Sequence, residues 1–167
     1  MRVLVTVASK HGATEEIGRR IAMGLEAAGL AVVSVAPEAV ISIDGYDAVV
    51  LGSGVYAGRW LGPAKDLVHR VGPELKTKRV WLFSSGPIGE STKPDDVPPD
   101  AAAMIAATDA VEHRVFAGRL DVESLGFAEK LIIKTVRAPS GDFRPWAEID
   151  AWASDIAGAL VPEAAIA

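Results

Sequence analysis

Apolar residues along this chain fall into two patterns that take turns. Short β-branched runs, apolar on both faces, alternate with longer stretches in which apolar positions recur every three or four residues. Val3-Leu4-Val5-Thr6-Val7 is the first short run, interrupted only by Thr6. Ala31 to Val35, Tyr46 to Leu51 and Val80-Trp81-Leu82-Phe83 follow it, and Glu112 to Phe116, more polar, is the expected fifth strand. Such runs suit strands buried between two helical layers. Thr14 to Ala28 reads as a helix, because Ile17, Ile21, Ala22 and Leu25 share one face while Glu15, Glu16, Arg19, Arg20 and Glu26 sit elsewhere on the wheel. Gly29 is its expected stop. The same spacing predicts helices over Pro63 to Val71, Ala101 to Thr108, Glu123 to Arg137 and Trp146 to Leu160.

Strand and helix in alternation predict an α/β fold, a doubly wound parallel sheet with right-handed crossovers and helices on both faces. Ligands of such sheets sit beyond the carboxyl ends of the strands. Three loops follow predicted carboxyl ends: Ser9 to Thr14, Gly52 to Trp60 and Ser84 to Gly89. Glu90 to Pro99 is rich in proline and acid and reads as a surface loop, with Asp95, Asp96 and Asp100 as a solvated turn. No repeat and no long linker divides the chain, so one domain is expected over 1–162, with a short tail over 163–167.

The first loop has the chemistry of an anion site. A helix N-terminus offers unpaired N–H groups and a positive dipole end. Gly12 lets the backbone come close, Ser9 and Thr14 can donate hydroxyl hydrogen bonds, Lys10 adds charge, and His11 and Ala13 complete the turn. The loop matches neither G-x-x-x-x-G-K-[ST] nor G-x-G-x-x-G, which disfavours a nucleoside triphosphate and a dinucleotide. The competing reading makes Thr14 a plain helix cap.

Composition narrows the chemistry further. The 167 residues contain no cysteine, which excludes disulfides, thiolate-bound iron–sulfur clusters and a catalytic thiol. Any redox chemistry must come from a bound cofactor. His11, His69 and His113 are too scattered for a metal site. A formal charge of −5 argues against a nucleic-acid partner. No segment reaches the roughly 18 apolar residues of a spanning helix, and the apolar run after Met1-Arg2 is too short for a signal peptide. A cytoplasmic protein is expected, with membrane contact at most peripheral.

A strand followed by Ser9-x-x-Gly12-x-Thr14 and a helix resembles the FMN phosphate loop of the flavodoxin-like family. His11 stands where that family usually has a hydroxyl residue. Ala8 to Ile17, Tyr46 to Ser53, Phe116 to Leu120, Phe127 to Lys134 and Asp142-Phe143-Arg144-Pro145-Trp146 are similar to the branch that contains menaquinone-dependent protoporphyrinogen oxidase. The resemblance implies five parallel strands in the order 2-1-3-4-5, a helical insertion near the fifth, and FMN as cofactor. It places the phosphate at Ser9, Lys10, His11, Gly12, Ala13 and Thr14. The isoalloxazine ring would lie between Ser53, Gly54, Val55, Tyr56, Ala57 and Gly58 on one side and Ser84, Ser85, Gly86, Pro87, Ile88 and Gly89 on the other.

Tyr56 or Trp60 can stack on such a ring, or Trp60 can cap the core. The Glu123–Arg137 helix mixes aliphatic and basic residues. It can meet a membrane surface, cover a bulky apolar substrate, or pack on its own domain. Two redox roles follow: an oxidoreductase that passes electrons from a porphyrinogen towards a quinone, or an electron carrier between partner proteins. A third role, a flavodoxin fold that acts through protein contact without FMN, stays open.

Overall fold

The computed structural model describes residues 1–86, 97–136 and 140–161. In chain order its elements are β1 (Arg2–Ala8), α1 (Ala13–Ala27), β2 (Ala31–Ser34), β3 (Ala48–Tyr56), β4 (Arg59–Trp60), α2 (Gly62–Leu75), β5 (Arg79–Ser85), α3 (Pro99–Thr108), β6 (Glu112–Phe116), β7 (Arg119–Leu120), α4 (Phe127–Val136), β8 (Gly141–Asp142) and α5 (Trp146–Leu160). The long strands run parallel in the order β2-β1-β3-β5-β6. Counted without β4, that is the expected 2-1-3-4-5. The additions are small: β4 folds back antiparallel on β3, and β7 pairs with β8 in a separate ribbon.

Each central strand splits its side chains between two cores, because successive residues point to opposite faces. Val3, Val5, Ala48, Val50, Trp81 and Phe83 face α1 and α5, where Ile17, Ile21, Leu25, Trp152 and Ile156 meet them. Leu4, Val49, Leu51, Val80 and Leu82 face α2 and α3, against Leu67, Leu75 and Met104. Phe83, Phe116 and Trp152 form a mutual edge-on cluster, with ring centroids 5.6 to 6.1 Å apart. Thr6 is fully buried on the α2 face, and its hydroxyl has no hydrogen-bond partner among the described residues.

Several boundaries differ from expectation. β3 runs on to Tyr56 and β5 to Ser85, through stretches read as loops, because Gly52-Ser53-Gly54 pairs with β5 and Gly52-Ser53 with β1 as well. Gly52 is there to be covered: a Cβ on it would lie 2.1 Å from Phe83 Cζ. α2 continues past Val71, but Val71 leaves helical geometry (φ −122°, ψ 18°). Pro73 explains this, since it lacks the N–H that would bond back to residue 69. The expected helix over 123–137 is broken as well. Val122–Ser124 is a 3-10 turn, Leu125 is extended, and α4 starts only after Gly126. The expected tail and residue 162 lie outside the described residues.

Candidate functional site

β1 delivers the chain into Ser9-Lys10-His11, and Gly12 turns it into α1. Gly12 has φ 83°, a left-handed conformation that costs other residues roughly 1–2 kcal/mol. Its N–H donates to Ser9 Oγ at 3.0 Å, which leaves the Ser9 hydroxyl proton available to donate in turn. No side chain caps α1, so its first-turn N–H groups remain donors toward the loop. Thr14 is therefore not the cap. It is buried inside the first turn, beside Gly54. A Cβ on Gly54 would come 3.1 Å from Thr14 Oγ1 and 3.0 Å from Tyr56 Cε2. Glycine at 54 thus keeps open the space between the loop and the tyrosine.

The same loop carries two nitrogen groups that already meet an anion. Lys10 Nζ and His11 Nε2 both contact Glu129 Oε1 on α4, the histidine at 3.3 Å. Lys10, then the Gly126 N–H, hold the Glu129 carboxyl down at about 2. Tyr56 lies alongside, with Lys10 Nζ 5.6 Å and the His11 ring 6.2 Å from its ring. Burial, and then the Glu129 charge, push the Tyr56 phenol up. Two hydroxyls, uncapped amides, an ammonium and an imidazole around a left-handed glycine fit a phosphate group, and a carboxylate already meets Lys10 and His11.

Acids beside an anion site would oppose it, and here they are neutralised. Glu15 pairs with Arg19 at 3.0 Å. Glu16 pairs with Arg144 at 2.6 Å and with Arg119 at 3.3 Å. The Arg144 side chain is 3% exposed. It also donates to the Ala13 carbonyl at 3.2 Å and to both Asp142 oxygens, and it lies over the Trp146 ring. Its hydrogen bonds hold the Glu16 and Asp142 carboxyls below the ordinary carboxylate range. One arginine thus ties the start of α1 to the segment leading into α5.

On the far side of the loop from β2, the ends of β3 and β5 come together. Ala57 and Gly58 form the two-residue turn between β3 and β4, both left-handed at φ 49° and 74°. Gly86 has φ 101° and donates its N–H to the Phe116 carbonyl at 2.9 Å. A Cβ on it would be 3.5 Å from the Val55 carbonyl oxygen. Ser85 is buried just before it. Pro87, Ile88 and Gly89 lie outside the described residues, as do Asp95 and Asp96. On the β2 side, a groove of about 450 Å³ runs past Ala8, Ser9, Lys10, Val35, Leu61 and Pro63.

Three residues of the expected ring walls, Trp60, Ser84 and Ser53, are buried. Trp60 is 2% exposed and donates its indole N–H to Ser84 Oγ at 2.8 Å. Ser84 in turn bonds His113 Nε2 at 2.9 Å. The Ser84 hydroxyl is spent on this buried chain, so its side chain serves the fold. So does that of Ser53, which donates to the Gly54 carbonyl and accepts the Leu61 N–H. Asp100 opens α3 instead of a solvated turn. It accepts the Trp60 N–H and pairs with Lys65 at 3.0 Å, and Lys65 keeps its carboxyl low. His69 is exposed on α2. Among the described residues no group of acids and histidines can hold a metal ion, and no helix is long and apolar enough to cross a membrane.

Glu129 and Arg144 were not legible as site residues. Arg144 stood within a recognisable fragment that carried no role, and nothing in the spacing marks Glu129 as a partner of residues 118 and 119 positions away.

Known proteins agree with this architecture. A model of the flavodoxin domain matches residues 4–144. Among solved structures, the rubredoxin:oxygen oxidoreductase of Desulfovibrio gigas superposes with TM-score 0.65 at 17% identity over 95% of this chain, which spans only 36% of that protein. A flavodoxin of Streptococcus pneumonia gives 0.62 at 17% identity, covering 96% of this chain and all (100%) of its own. A flavone reductase gives 0.60 at 16% identity, covering 95% of this chain and 62% of its own. No curated protein matches the chain. The phosphate-type loop at the end of β1, the parallel sheet order and the matched span lead to one conclusion: the chain belongs to the flavodoxin-domain family.

Proposed function

We propose that this protein binds FMN and uses it as a redox group. The observation that carries this reading is the convergence of Ser9, Lys10, His11 and Thr14 with the uncapped first turn of α1 around left-handed Gly12. When bound, FMN supplies one- and two-electron transfer. The protein's own residues hold and orient it. The Ser9 and Thr14 hydroxyls and the amides from Gly12 onward take the phosphate, and Lys10 and His11 balance its charge. Tyr56 offers a flat wall. Backbone groups of Gly54, Val55, Ala57 and Gly58, and of Ser85 and Gly86, serve the polar edge of the ring.

Turnover of a small molecule is favoured by α4, which meets the loop through Glu129 and leaves Phe127, Leu131 and Ile132 exposed. That apolar surface suits a bulky substrate, a porphyrinogen by resemblance, or a quinone acceptor. The carrier role is favoured by the formal charge of −5, which suits a basic redox partner. Titration with FMN and with riboflavin, followed by quenching of flavin fluorescence, tests the reading. Tight FMN binding with much weaker riboflavin binding supports it, and absence of FMN binding overturns it. In the loaded protein, oxidation of a porphyrinogen or reduction of a quinone at a catalytic rate decides for the enzyme.

A further inference from the structure

α4 is attached to the body of the protein in an unusual way. None of its described side chains is buried: Phe127 is 84%, Leu131 59% and Ile132 62% exposed. None of its described side chains joins either apolar core. Among the described residues, the contacts that tie it to the phosphate-type loop are polar and come from one side chain. Glu129 Oε1 faces Lys10 Nζ and His11 Nε2, while Glu129 Oε2 accepts the Gly126 N–H at 3.0 Å. Glu129 is the third residue of the helix, so the second contact is half of a capping box. One oxygen caps α4 and the other docks it.

We infer that Glu129 is an internal anion that holds α4 over the phosphate loop, and that an incoming phosphate displaces it and releases the helix. The inference rests on the FMN reading and adds regulation of that site. Its physics is competition. A phosphate and the Glu129 carboxylate both seek Lys10 and His11, and the phosphate adds the hydroxyls and amides that a carboxylate on α4 does not reach. The docked state must be given up for FMN to bind, which lowers the apparent affinity. Once undocked, a ten-residue helix is marginal in water and frays.

The variant Glu129→Gln separates the two contacts, because glutamine keeps the helix cap but carries no charge. FMN and riboflavin affinities and hydrogen exchange of amides 127–136 are measured for both proteins. An exposed ion pair is worth little, so FMN should bind about two- to fivefold tighter to the variant, with riboflavin affinity unchanged. Exchange over 127–136 should be faster in the variant without ligand, and should quicken in the wild type when FMN is added. Equal FMN affinity with equal exchange in both proteins overturns the latch while leaving the flavin reading intact. Tighter FMN binding without faster exchange also overturns it, since charge removal alone then accounts for the gain. Absence of FMN binding to either protein overturns the flavin reading and the displacement together.

Discussion

Trp60 donates its indole N–H to the Ser84 hydroxyl across 2.8 Å, inside the core. This bond joins the β3–β4 hairpin, whose tip carries Ala57 and Gly58, to the end of β5. The two walls expected around a flavin ring are thus tied together through a buried hydrogen bond.

Ser84→Ala removes the acceptor and strands a buried indole N–H. A loss of about 2 kcal/mol is expected, which lowers Tm by roughly 4–8 °C. Calorimetry checks this, and an unchanged Tm would show that the bond contributes nothing.

His113 ends the same chain. Burial holds its imidazole below the usual 6.5. The unfolded chain therefore takes up a proton at a pH where the folded chain does not. Stability is complete above about 6.5 and declines as the pH falls toward the lower folded value. Tm should drop between pH 7 and 5.5 in the wild type and stay flatter in His113→Asn. A wild-type profile that is level across this range contradicts the assignment.

Thr6 buries a hydroxyl without a partner among the described residues. Thr6→Val keeps the shape and removes the unsatisfied group. A gain of about 1 kcal/mol is expected, read as a rise in the midpoint of urea unfolding at constant slope. A lower midpoint would mean that the hydroxyl is satisfied in solution.

Ala57 holds φ 49° at the first position of its turn, where Asn, Asp or Gly is the ordinary occupant. Ala57→Asn should stabilise the protein by roughly 0.5–1 kcal/mol, because asparagine tolerates the left-handed region better. Thermal unfolding of the ligand-free protein measures it, and a fall in Tm would rule out backbone strain at this turn.

Arg144→Met removes the counter-charge of Glu16 and the tether on the Ala13 carbonyl. Stability should fall by about 2 kcal/mol. FMN affinity should fall several-fold, with riboflavin binding much less affected, because Glu16, left with Arg119 as its counter-charge at 3.3 Å, repels a phosphate and not a neutral ribityl chain. Equal losses for both flavins would make Arg144 a purely structural residue.

The layers of the fold were legible because burial on both faces writes continuous apolar runs, and one-sided burial writes helical periodicity. Strand ends were not. Gly52-Ser53-Gly54 has a loop's composition, yet β5 pairs along its whole length, and Gly52 is small because the Phe83 ring lies on it. The loop from Ser9 to Thr14 could be read as an anion site because all its parts are adjacent in sequence. Glu129 and the Trp60–Ser84–His113 chain could not, because each joins elements that only the folded sheet brings together. Trp60 shows the limit well: an aromatic beside a glycine-rich turn suits a ring wall and a core plug equally, and only burial distinguishes them.

Because α4 places no described side chain in either core, residues 127–135 take no part in packing the two cores. Their sequence can drift, lengthen or shorten in related chains without endangering the sheet beneath. Any position there that nevertheless stays fixed among relatives therefore records selection on what the helix meets, and so marks the natural place for one ancestral scaffold to acquire a new partner.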